Sequence, residues 1–159
     1  MASFASNAVW PELPYPELRP TLETLQLWAQ IVGKARLART PWVNHGWHTT
    51  LYVSARGLTT GLIPHSALGF ELEFALIAHA LLVRVSDGGQ GRIALAPGSV
   101  AGFYAELSAT LATLGVVCEI DVHPNELADP TLDLSRKSGE APMRHEGLDD
   151  AAAMVYEGI

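Results

Sequence analysis

The run Asn44-His45-Gly46-Trp47-His48 gathers two imidazoles, an amide and an indole. It lies within a segment from Thr24 to Phe70 that has no acidic residue, although the chain's formal net charge is −7. Lys34, Arg36, Arg39, Arg56 and His65 belong to the same segment. Imidazoles and cations around one helix-to-strand junction suit a small anionic or metal-bound ligand. His45 and His48 could converge on one ion in an irregular turn, with His65 or His79 as a third ligand. Against that, a regular strand sends residues three apart to opposite faces, and neither an HExxH nor a paired-cysteine pattern is present. The competing structural reading makes both imidazoles partners of backbone carbonyls. No cofactor is expected, apart from a metal that His45 and His48 could hold.

The anion reading rests on Lys34 and Arg56, which flank the histidine run from the polar stripe of a helix and the polar face of a strand. A guanidinium offers a planar fork to carboxylate or phosphate. The expected ligand-binding set is Gln30, Lys34, Asn44, His45, Trp47, His48, Tyr52 and Arg56. Thr60 could help to orient a ligand, and Trp28 and Trp42 could wall the pocket or belong to the core. In the bland alternative Arg36 and Arg39 are solvated, while Lys34 and Arg56 pair with Glu23, Glu71 or Glu119. The leading expectation is binding of a small anionic metabolite. An enzyme would use the same pocket, with His45 or His48 as general base and Lys34 and Arg56 stabilising developing negative charge. A third reading is an interaction module acting through homodimerisation.

Other chemistries find little footing. Ser54 has neither a GxSxG elbow nor an Asp nearby to orient a base. Gly88-Gly89-Gln90-Gly91 lacks the lysine and following helix of a phosphate loop. Glu71 and Glu73 alternate on one strand face, which suits solvent better than glycosidase chemistry. The single cysteine, Cys118, excludes an internal disulfide and sits in an apolar alternation typical of a core thiol.

A chain of 159 residues with 48% hydrophobic residues is sized for one domain with a real core. Its longest apolar stretches fall far short of the roughly 20 residues of a membrane span, and its N-terminus lacks a signal-peptide pattern, so a cytoplasmic protein without membrane contact is expected. Residues 124–159 carry eight acids against three bases, and a balance so acidic argues against nucleic-acid binding.

The elements that must position the site follow from periodicity. Prolines in residues 1–20 predict an extended, non-helical arm pinned by Trp10, Leu13 and Tyr15. An α+β domain is expected over residues 21–123 and an acidic, partly irregular tail over 124–159. The first helix is predicted from about Thr21 to Ala38, with Leu22, Leu25, Trp28, Val32 and Ala35 inward and Glu23, Gln26, Gln30 and Lys34 outward. A strand over residues 48–56 would place His48, Tyr52 and Arg56 on one face, and Leu58 to Ile63 would return beside it. Phe70 to Leu76 and Leu81 to Val85 form a hairpin in which a two-residue turn at Ala78-His79 sets Glu73 opposite Arg84. A short strand near Arg92 to Ala96 precedes a helix that starts near Ser99 and ends just before Gly115, and Val116 to Val122 reads as a last strand. A short helix over Leu148 to Glu157 completes the prediction. The order α-β-β-β-β-β-α-β implies a mainly antiparallel sheet with two helices packed on one face.

Trp10-Pro11-Glu12-Leu13-Pro14, Leu27-Trp28-Ala29-Gln30-Ile31-Val32-Gly33-Lys34, Asn44-His45-Gly46-Trp47-His48, Leu51-Tyr52-Val53, Arg56-Gly57-Leu58-Thr59-Thr60 and Ile63-Pro64 occur in that order. Together they resemble an uncharacterised bacterial family of unknown function over roughly residues 9–124. The resemblance implies no activity. Longer members of that family carry a second half that weakly echoes the first, so this chain is similar to one half. That in turn implies a homodimer restoring the full architecture. Where the family tends to place a carboxylate before the hairpin histidine, this chain has Ala78 before His79.

Overall fold

The computed structural model describes residues 14–123 and 140–141. Helix α1 spans Tyr15–Leu37. It begins a turn and a half earlier than Thr21, so residues 15–20 are helical despite Pro16 and Pro20. Pro16 stands in the first turn, where a backbone N–H has no intrahelical acceptor to lose. Glu17 and Leu18 donate to the Pro14 carbonyl at 2.9 and 3.1 Å. Pro20 does remove a donor from the helix interior. The extra turn nevertheless buries Leu18, and that burial offsets the lost bond. Tyr15, expected to pin the arm, is 63% exposed. Trp10, Leu13 and the predicted helix over residues 148–157 lie outside the described residues.

Beyond α1 the chain enters a pair of 3-10 turns, Asn44–Thr49, that meet at left-handed His45 and Gly46. Then comes an antiparallel meander: β1 Tyr52–Ser54, β2 Gly57–Thr59, β3 Ile63–His65, β4 Leu68–Ala75, β5 Ala80–Val85 and β6 Gln90–Ala94. The sheet order is β1-β2-β4-β5-β6, and β3 continues the line of β2 along the same side of β4. The predicted single return strand is therefore split. Thr59 pairs with Glu73 but Ile63 pairs with Phe70, which leaves one extra residue at Gly61-Leu62. Gly61 has φ +61°, and a glycine in that conformation lets the strand bulge without steric cost. Fully buried Thr60 bridges the gap: its N–H donates to the Leu72 carbonyl at 2.9 Å, and its hydroxyl accepts from Leu72 N at 3.0 Å. Gly57 is equally constrained, since a Cβ there would stand 1.9 Å from the Phe74 carbonyl oxygen.

The β4–β5 hairpin keeps its predicted faces but not its register. Ala75 pairs with Ala80 across a four-residue turn, so Arg84 lies opposite Glu71 and Glu73 opposite Leu82. A shift of two residues preserves the alternation, so no apolar side chain changes sides. Phe70, Leu72, Phe74, Leu81, Val83 and Ile93 build the core against the helices.

Strand β7, Gly98–Ser99, pairs with β8, Glu140–Ala141, and helix α2 follows over Val100–Thr113. Ser99 caps α2 by accepting from Gly102 N at 2.9 Å. At its other end Gly115 N donates to Ala112 O and Val116 N to Leu111 O, the paired bonds of a Schellman ending. The Trp28 and Phe103 rings stack at 4.4 Å and couple α1 to α2. The predicted last strand, Val116 to Val122, is not one: this segment pairs with no strand among the described residues. Val116 and Ile120 are buried while Val117 is 66% exposed, so the alternation serves packing against the helices rather than a ladder. No described helix is long and apolar enough to cross a membrane.

Candidate functional site

Lys34 departs furthest from its predicted setting. Expected on the polar stripe of α1, it is 4% exposed, within a helix whose Ile31, Val32 and Ala35 are fully buried. Placing an ammonium there removes most of its hydration, a cost that only hydrogen-bonding or charged partners can offset. One such partner is Asp121, whose Oδ2 lies 3.6 Å from Lys34 Nζ. The Asp121 side chain is 60% exposed and belongs to the segment that joins no sheet. Its carboxyl is held below the ordinary carboxylate range, first by the His123 N–H, then by the His123 ring and the charge of Lys34.

Lys34 borders a groove of about 300 Å³ with Gln26, Ala29, Gln30, Gly33, Leu37, Thr49 and Leu51. Successive turns of α1 supply one wall, and the chain leaving the 3-10 turns supplies the other. Two amides and the lysine give the groove donors for an anion, and the Thr49 hydroxyl, which donates to the Gly46 carbonyl, offers an acceptor to a polar ligand.

Of the predicted ligand set, the structure brings only Gln30 and Lys34 to this groove. His48 is 4% exposed, its Nδ1 accepts from Val43 N at 3.3 Å, and its ring packs 5.0 Å from that of Trp42. That is the structural role weighed against ligation, except that the backbone partner is an N–H rather than a carbonyl. His45 sits at φ 58° and Asn44 beside it, both exposed. Trp47 is 66% exposed and Tyr52 51%. Tyr52 lies under the Arg36 guanidinium, whose carbon is 5.3 Å from the ring centroid. Because residues 44–49 form 3-10 turns, His48 does not share a strand face with Tyr52 and Arg56. No group of three or more His, Cys, Asp or Glu side chains among the described residues is placed to hold a metal ion.

Arg56 belongs to a different assembly, on the sheet face away from the helices. Its Nη2 lies 3.2 Å from Glu73 Oε2, while Arg84 Nη1 donates to the same oxygen at 2.8 Å and Ser54 Oγ to Glu73 Oε1 at 2.7 Å. Glu73 is 1% exposed. Burial pushes its carboxyl up, but the bonds from Ser54, Arg84 and Arg56 together outweigh it and hold the group below the ordinary range. Arg84 also reaches Glu71 Oε2 at 3.9 Å, and Thr59 donates to Glu71. The sequence pairs Glu73 with Arg84, which is correct as a diagonal contact, but nothing in the alternation signals that an outward-facing glutamate is enclosed. Gln26, Thr49, Leu51 and Asp121 are the other site residues missed. Gln26 has the spacing to share a helix face with Gln30, whereas the rest become neighbours only through the turns.

Neither a curated protein nor a solved structure matches the chain. A family profile covers residues 10–153, including every motif run from Trp10 to Pro64, and the chain belongs to that family, the Family of unknown function (DUF5996).

Proposed function

We propose that this protein binds a small anionic metabolite in the groove between α1 and the chain leaving the 3-10 turns, with Lys34 as the charged anchor. The observation that carries this reading is the buried Lys34 ammonium facing the largely exposed carboxylate of Asp121, on a segment that joins no sheet among the described residues. An anion able to displace Asp121 would gain a charge-assisted hydrogen bond in a partly dehydrated setting, where such bonds are strongest. Gln26, Gln30 and Thr49 would fix the ligand's orientation.

Arg56 is not part of this site, because its partner is Glu73. Lys34 and Arg56 therefore have separable consequences. Thermal shift with inorganic phosphate and a set of small mono-, di- and tricarboxylates tests the reading. At least one of these anions raises the melting temperature of the wild-type chain, raises that of Arg56→Ala equally and leaves that of Lys34→Met unchanged. An equal rise in Lys34→Met, or no rise with any anion, removes the reading.

A further inference from the structure

Among the described residues, the outer edge of the sheet is unguarded beside Arg36, which has no acidic partner there. Strand β1 is the end strand among the described residues, and only β2 pairs with it there. The Ser54–Gly57 pair closes a two-residue turn, so hydrogen-bonded pairing alternates to Tyr52–Thr59 and turns the Val53 N–H and C=O toward the open side. Tyr52 and Val53 are 51% and 50% exposed, and the turns leading into β1 expose Trp42, Val43 and Trp47 by 71%, 46% and 66%. Sheet edges are ordinarily blunted by inward charges, proline or a covering element. Among the described residues the blunting is limited to the strand's short length and to Arg36.

Charge indicates what the edge would accept. Arg36 donates to the Thr50 carbonyl at 2.7 Å and lies over Tyr52, and Arg39 donates to the Val117 carbonyl. Neither has a carboxylate partner among the described residues, and the Arg36 Nε is buried without an acceptor. Arg56, also at this end of the sheet, is matched by Glu73. The whole segment from Thr24 to Phe70 contributes no acidic side chain of its own. We infer that β1 is a docking edge for an extended acidic peptide, which adds a strand at Val53, packs apolar side chains on Tyr52, Val53 and Trp47, and sets a carboxylate against Arg36.

Fluorescence anisotropy on the full chain tests this, using a short labelled peptide of alternating valine and glutamate and its valine–lysine counterpart. The acidic peptide binds, and its affinity falls with added salt and is at least about tenfold above that of the basic peptide. Val53→Pro removes the outward N–H at a position where an edge strand tolerates proline, and Arg36→Gln removes the charge; each lowers affinity about tenfold. Far-UV circular dichroism checks that both variants are folded, and Arg36→Gln carries the test if Val53→Pro is not. Equal affinity for the two peptides, no binding of either, or unchanged affinity in the folded variants overturns the inference. So does sedimentation showing a dimer that Val53→Pro dissociates and the acidic peptide does not, since the edge would then belong to a second copy.

Discussion

Glu73 and Lys34 are two nearly inaccessible charges of opposite sign, and they are housed in opposite ways. Glu73 is held by a hydroxyl and two guanidiniums from β1, the β1–β2 turn and β5, all within one sheet. Its partners are fixed by register, and such a carboxylate stabilises the fold because its hydrogen-bonding capacity is met. Lys34 faces Asp121, which projects from a segment with no ladder bonds and is mostly in water. On the proposed reading, the difference separates a charge enclosed by the fold from one available to a ligand.

The largest effect should come from breaking the enclosed charge. Arg84→Ala leaves Glu73 buried with a weakened shell and should cost about 2–4 kcal/mol in urea unfolding. Arg56→Ala should cost under about 1 kcal/mol, since that side chain is 59% exposed and its loss can be made up by water. Equal costs for the two would mean that Glu73 is less enclosed than its geometry indicates.

Lys34→Met should leave stability unchanged or raise it by about 1 kcal/mol, because replacing a buried ion by an apolar side chain of similar volume relieves desolvation. A loss of several kcal/mol would place Lys34 beside Glu73 as a structural charge. Comparable in size, His48→Ala should cost about 1 kcal/mol through the unpaired Val43 N–H, without altering anion binding. Retained stability with abolished binding would return the histidine to the site.

Acid titration sharpens the same contrast. The Glu73 carboxyl is lowered in the folded state from an ordinary value of 4.5, so its contribution is fully present above that pH. It is lost as pH falls below 4.5 toward the folded-state value. Glu73→Gln should therefore flatten the acid limb of the stability curve below pH 4.5 and leave its slope near neutrality unchanged. Measured by urea midpoints across pH, an unaltered acid limb would contradict the enclosure.

What was legible in the sequence had local or parity-based signals. Helix α2 was readable end to end because Ser99 caps it, its apolar positions repeat at helical spacing and Gly115 stops it. The faces of β4 and β5 were readable because a register error of two preserves parity. Proline misled at the start of α1, where the burial of Leu18 outweighs a missing donor. Alternation misled at Val116 to Val122, because a chain lying along helices can bury every other side chain without a strand partner. The split of the return strand at Gly61 depended on one extra residue opposite Glu71, which no periodicity marks. The site was half legible: residue types and the acid-free segment singled out Lys34 and Gln30. The 3-10 turns then carried the histidines away from Arg56, and only folding brings Thr49 and Leu51 to the groove.

Native mass spectrometry of untagged protein, purified without chelator and compared with its denatured mass, tests the Lys34 groove most directly and counts subunits in the same spectrum. The account predicts an added small mass on the wild-type chain and on Arg56→Ala that is missing from Lys34→Met. The same mass retained by Lys34→Met, or none on any of the three together with no anion-dependent thermal shift, would contradict it.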